Sequence, residues 1–177
     1  MRIDRPETSE YAPFYAGYVG KVPESGPLAL LESQIDAFRA LGEAAAPGDY
    51  RYAEGKWSVK ELLGHVADAE RVFAYRLLRI ARNDPAALAG WDEKAWAAHA
   101  PHAGRPLGEI LAELIAIRQS TLALVRSLDD AALGRRGVAN NAGVTVRALC
   151  WITAGHAQHH LDVLRDRYGL GGSSPPR

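Results

Sequence analysis

Apolar positions recur at threes and fours through most of the chain, and that period predicts four long helices. Leu28, Leu30, Leu31, Ile35, Phe38 and Leu41 set the first, which runs from Pro27 to the Ala-Pro-Gly of 46–48. The second has the clearest beginning, because Ser58 followed by Glu61 reads as a capping box with Trp57 as a staple residue in front. Leu62, Ala69, Val72, Phe73 and Leu77 hold one face of it until Asn83-Asp84-Pro85 ends it. Pro106 to Leu128 gives the third, with Ile110, Leu111, Leu114, Ile117, Thr121, Leu124 and Val125 on an inner stripe. The fourth runs from a Thr145 cap to about Tyr168.

Between these helices the period fails. Residues 1–25 are rich in Pro, Gly and Tyr and read as an extended arm laid over the body, while the GLGGSSPPR of 169–177 reads as a disordered tail. Residues 84–105 carry Pro85, Gly90, Pro101 and Gly104 around a WDEKAW piece, which suits a crossover with a turn or two of helix. No segment reads as a strand. The expected fold is therefore all-α, a four-helix bundle in one domain over 1–168 with a long crossover between its second and third helices. A linker of that length returns the chain to the end it left, so those two helices run parallel. A fourth helix antiparallel to the second then brings His65 level with His156 and His160.

Composition narrows the partners. Lys plus Arg and Asp plus Glu number 21 each, which leaves no basic excess for a phosphate backbone, so nucleic acid is not an expected partner. The N-terminal MRIDRPETSEYAPF lacks the apolar run of a signal peptide and no stretch approaches a membrane span, so the expected location is the cytoplasm, with no membrane partner. A single cysteine, Cys150, excludes an internal disulfide and a thiolate cluster, so any metal must be held by nitrogen and oxygen.

The six histidines are unevenly placed, with His156, His159 and His160 crowded together. Helical residues four apart share a face, which lets the imidazoles of His156 and His160 reach one ion. Leu149, Ile152 and Val163 lie on their side of the wheel, and Leu62, Ala69, Val72 and Phe73 on that of His65, so all three point inward. Three histidines with an open fourth position match a common catalytic zinc arrangement. The bland reading, in which each is a core residue bonded to a carbonyl or a neighbouring side chain, fits the same spacing.

Longer stretches tip the balance. RPETSEYAPFYAGYV, YRYAEGKWSVKELLGHVADAERVFAYRLLRIAR and VRALCWITAGHAQHHLDVLRDRYG resemble the DinB/YfiT-like superfamily over nearly the whole chain. The resemblance implies a four-helix bundle holding zinc or nickel through one histidine early in the second helix and a His-x-x-x-His pair on the fourth, positions that match His65, His156 and His160. It also implies a metal-dependent hydrolase or a transferase using a low-molecular-weight thiol on a small-molecule substrate, and a homodimer. The rival class is a non-catalytic metal-binding or stress-associated protein.

Asp68, one turn after His65, is the candidate catalytic carboxylate, as a ligand, as an orienter of water or as a general base; a supporting contact to a neighbouring arginine is the alternative. His159 reads as a boundary residue. Glu70 and Arg71 read as interhelical ion-pair residues, with Arg118 or the arm as partner. Trp57, Trp96 and Trp151 read as core or staple residues, Trp91 and Asp92 as pocket-rim residues, and Cys150 as a small buried hydrophobe.

Overall fold

Ser58 shows how local chemistry sets the helices. Its hydroxyl accepts from the Glu61 amide at 3.3 Å and the Glu61 carboxylate accepts from the Ser58 amide at 2.6 Å, so the predicted capping box forms and starts a 23-residue helix. The computed structural model describes residues 2–44 and 47–170 and carries seven helices in chain order. These are α1 (Ala16–Val19), α2 (Gly26–Glu43), α3 (Val59–Ala81), α4 (Glu93–His99), α5 (Leu107–Arg126), α6 (Asp130–Gly134) and α7 (Val146–Tyr168). The long ones, α2, α3, α5 and α7, are the four expected from the sequence and pack as a bundle. Gly169 closes α7 in a left-handed conformation and the Leu170 amide returns to the Leu164 carbonyl; the rest of the expected tail lies outside the described residues.

The crossover turns the chain as its length requires. Tyr168, at the end of α7, donates to the Trp57 carbonyl just before α3 at 2.7 Å, so those two helices run antiparallel. Gly48, in the loop before α3, lies against both Lys60 at the start of α3 and Leu107 at the start of α5, which makes α3 and α5 parallel. Within the crossover lie α4, a single turn at Pro101–Gly104 and a bridge from Leu88 to Ala139, and no residue of α4 is buried.

The sequence reading missed two strands. β1 (Arg136–Ala139) and β2 (Ala142–Thr145) form an antiparallel hairpin, paired from Arg136 with Thr145 to Ala139 with Ala142. Asn140 and Asn141 both take positive φ, the conformation that a tight two-residue hairpin turn requires. The last strand residue, Thr145, then caps α7 by accepting from the Ala148 amide, as the sequence predicts.

The arm is not the extended strap expected. It folds into two single turns, Thr8–Glu10 and Pro13–Tyr15, followed by α1, and buries Ile3, Tyr11, Tyr15, Val19 and Val22. Contact with α7 is so close that a Cβ on Gly155 would lie 2.0 Å from the Tyr18 carbonyl oxygen, so only glycine lets α1 seat there. The other tie is Glu10, whose buried carboxylate accepts from Thr145 Oγ1 at 2.7 Å and from the Arg147 guanidinium. Burial pushes the Glu10 carboxyl up, yet the bonds from Arg147, Thr145 and the Glu7 amide outweigh it and hold the pKa at about 2. A carboxyl so depressed stabilises the fold fully above its unfolded value of about 4.3 and loses that contribution as pH falls toward 2. Glu10→Gln should therefore lower the melting temperature at neutral pH and leave a shallower acid loss than wild type, a difference that thermal melts across pH 2.5–6 will read.

One polar network crosses the interior and sets the register of the bundle. The fully buried Arg118 of α5 donates to both carboxylate oxygens of Glu70 on α3, at 2.8 and 2.7 Å, and to the Leu31 carbonyl and Gln34 Oε1 of α2. Gln34 in turn donates to the Ala154 carbonyl of α7 at 3.0 Å, so all four long helices are joined.

Candidate metal centre

His65 lies two turns into α3 and His156 and His160 lie one turn apart on α7, and the antiparallel pairing of those helices brings them face to face. His156 Nε2 stands 3.2 Å from His65 Nε2 and 3.2 Å from His160 Nε2. Among the described residues, this is the one group of three or more His, Cys, Asp or Glu whose ligand atoms gather closely enough to hold an ion.

The arrangement is poor as hydrogen bonding and good as coordination. A ring nitrogen carries either one proton or one lone pair, so His156 Nε2 cannot make a sound bond to both neighbours in any tautomer. His160 Nδ1 is also buried with no protein partner. Two nitrogens about 2.0–2.1 Å from a shared ion at a tetrahedral angle stand about 3.3 Å apart, close to the spacing found. Charge points the same way, since burial pulls the pKa of all three rings down, most strongly at His156 and His160, which leaves neutral imidazoles with lone pairs to give.

Aromatic rings hold the histidines in place. Trp57 lies 4.9 Å from His65, while Tyr18 of the arm and Phe73 of α3 meet His156 edge-on at 5.3 and 5.5 Å. Gln34 reaches Ala154 and Gln158 on either side of His156, so the interior network also fixes this stretch of α7.

Two cavities flank the cluster. One of about 580 Å³ reaches His160 and is walled by Tyr52, Trp57, Tyr168, Lys56 and Lys94. The other, about 240 Å³, reaches His156 and is walled by Tyr15, Tyr18, Phe73, Trp91 and Glu93. Residues 93 and 94, neighbours at the start of α4, thus place opposite charges on opposite sides of the histidines.

Asp68 lies outside the three-nitrogen group. Its carboxylate meets His102 Nε2 at 3.1 Å and Arg71 Nη1 at 3.4 Å, the supporting contact to an arginine that was the alternative reading. His102 is buried with its ring flat against Gly64, where a Cβ would come within 2.3 Å of it, so this dyad braces the backbone beside His65. His159 is half-buried beside Tyr18 and His160, and Cys150 is fully buried with its thiol pushed up to about 12. Glu70 pairs with Arg118, and Arg71 with Glu113 of α5 rather than with the arm.

Trp91 lines the pocket as expected, but Asp92 does not; it accepts from the Lys94 and Ala95 amides and caps α4. Trp57 is a cavity wall as well as a packing residue. Sequence reasoning missed Tyr15, Tyr18, Glu93 and Lys94. The one signal for the last two was the Asp-Glu-Lys run inside an otherwise broken segment.

A bundle with this crossover and an inward histidine cluster defines a class, and comparison with known proteins gives it a name. The chain matches the DinB superfamily over residues 30–164 and belongs to it. Among solved structures it is similar to YfiT from Bacillus subtilis, described as a probable metal-dependent hydrolase with an unusual four-helix bundle topology. The two share 21% identity over 94% of each chain, with a TM-score of 0.70. No curated protein matches the chain.

Proposed function

We propose that this protein is a metal-dependent enzyme in which His65, His156 and His160 hold one divalent ion, zinc or nickel, and that it acts on a small molecule by hydrolysis or by transfer from a low-molecular-weight thiol. The observation that carries the reading is the convergence of three neutral Nε2 atoms at spacings that coordination explains and hydrogen bonding does not. Bound there, the ion supplies a Lewis acid that lowers the pKa of water or a thiol beside it.

The surrounding side chains have their own tasks. Trp57, Tyr18 and Phe73 pack against the imidazoles, orient them and exclude water from their flanks. Glu93, on the wall of the His156 cavity, is placed to take a proton from a nucleophile held there. Asp68 keeps His102 against Gly64 and acts on His65 through its charge and through the backbone it braces. The larger cavity, with Lys56 and Lys94 and no carboxylate on its wall, admits substrate toward His160.

The test is spectroscopic. The purified protein is expected to carry about one ion per chain, and a cobalt- or nickel-loaded sample should change its visible spectrum when thiol is added at about 1–5 mM, as sulfur ligation requires. A metal-loaded protein whose spectrum ignores every cellular thiol would favour hydrolysis or a non-catalytic metal-binding role over thiol transfer. No metal uptake from zinc or nickel would overturn the proposal.

A further inference from the structure

Four Glu and Arg side chains are buried among the described residues, and three of them are paired: Glu70 with Arg118, and Glu10 with Arg147 at the edge of the interior. Arg76 is the exception. It is 1% exposed, no carboxylate lies within ion-pair distance of it, and its Nε has no hydrogen-bond partner. One Nη donates to the Ala89 carbonyl at 2.6 Å, the Trp91 ring lies 4.8 Å from the guanidinium carbon, and the Tyr15 hydroxyl sits beside it. These neighbours position the guanidinium without supplying a negative charge. A buried cation left without a counter-ion is costly, and a guanidinium is the side chain best shaped to take a carboxylate with two parallel bonds.

Arg76 also lines a cavity of about 440 Å³ between α3 and the crossover, whose wall includes Val72, Tyr75, Leu88, Trp91 and Trp96. Two of these, Tyr75 and Trp96, are large aromatics left half exposed. A mostly apolar cavity of this size with a few polar groups, here Arg76 together with Arg71 and Asp68, is the form of a small-ligand site. Its Arg76 end lies apart from His65, which Arg76 follows by eleven residues along α3, about 16 Å of helix rise, while Trp91 is the wall it shares with the His156 cavity.

We propose that this cavity is a second binding site, for a small organic carboxylate whose anion rests on Arg76 and whose apolar body lies against Trp91 and Trp96. The site does not depend on the metal reading. The carboxylate takes the donors that Ala89 leaves free, and the indoles shield the pair from water, which strengthens it.

Calorimetric titration with sodium benzoate and with neutral benzamide at matched ionic strength tests this. Wild type should bind benzoate saturably and benzamide at least about tenfold more weakly, the loss expected when a charge-assisted pair is removed. Arg76→Met should bring benzoate down to the benzamide level with unchanged helical circular dichroism. His160→Ala should bind benzoate as wild type does, which separates this site from any anion held at a metal. Equal affinity for the two probes, no benzoate binding at about 20 mM, or loss of binding in His160→Ala would each overturn the proposal. Should Arg76→Met fail to fold, Arg76→Lys keeps the charge while losing the two-bond geometry, and a benzoate affinity equal to wild type in that variant would also count against it.

Discussion

His160→Ala should empty the ion site while leaving the bundle intact. Loss of a partner that merely orients a ligand costs about 10–100-fold in metal affinity, so removal of one of three ligands should cost about 100-fold or more. After dialysis against a mild chelator, elemental analysis is expected to find about one ion per wild-type chain and less than about a tenth of that in the variant. His156→Ala should behave alike, and more severely, because its Nε2 is the one that faces both others. His102→Ala is the control, since that ring meets Asp68 and Gly64 and lies outside the nitrogen cluster. Equal metal in wild type and His160→Ala would sink the assignment of the site. Circular dichroism should barely change, because two apolar clusters carry the helix packing and neither includes the three histidines.

Glu70→Leu is the second large effect, and it acts on stability. The carboxylate is 2% exposed and takes both parallel donors of an Arg118 that has no exposure at all. Removing it strands a buried guanidinium on the Leu31 carbonyl and Gln34 alone, at a cost of about 3–5 kcal/mol. That is a large share of the about 5–15 kcal/mol a domain has to lose. Urea denaturation should show a lower midpoint with an unchanged slope. Adding Arg118→Met to the same chain should restore much of the loss, since an apolar pair of similar volume removes the uncompensated charge. A single variant as stable as wild type would mean that the pair sets helix register and contributes no net stability.

The four long helices could be read in the chain because their signals are local: a capping box at Ser58, a cap at Thr145, and apolar positions at helical spacing. The histidines were legible for the same reason, one pair within a single turn and a third pointing inward on its own helix. What could not be read was decided by pairs far apart in sequence. The hairpin was missed because its strands have four residues each and the turn residues, Asn140 and Asn141, sit in a run of small side chains too short to show alternation. The expected pairing of Glu70 with Arg118 was found, but Gln34, which carries that network to α2 and α7, looked like an ordinary polar residue between apolar ones. Glu93 and Lys94 lay in the crossover, where no periodicity tells which way a side chain faces. Asp92 was assigned to the pocket because acidic residues in loops suggest chemistry, whereas its actual neighbours are the free amides of a helix start.

The seat of α1 on Gly155 has a consequence for how specificity divides along the chain. The DinB match begins at residue 30, after Tyr15 and Tyr18 have already been laid against the His156 side of the cluster. The wall on the His156 side is therefore built jointly by the arm and by Phe73 and Trp91 of the matched span. The His160 side is lined by residues of the matched span, with Tyr168 just beyond it. Substitutions in the arm should therefore reshape the His156 side of the cluster and leave its His160 side as it is.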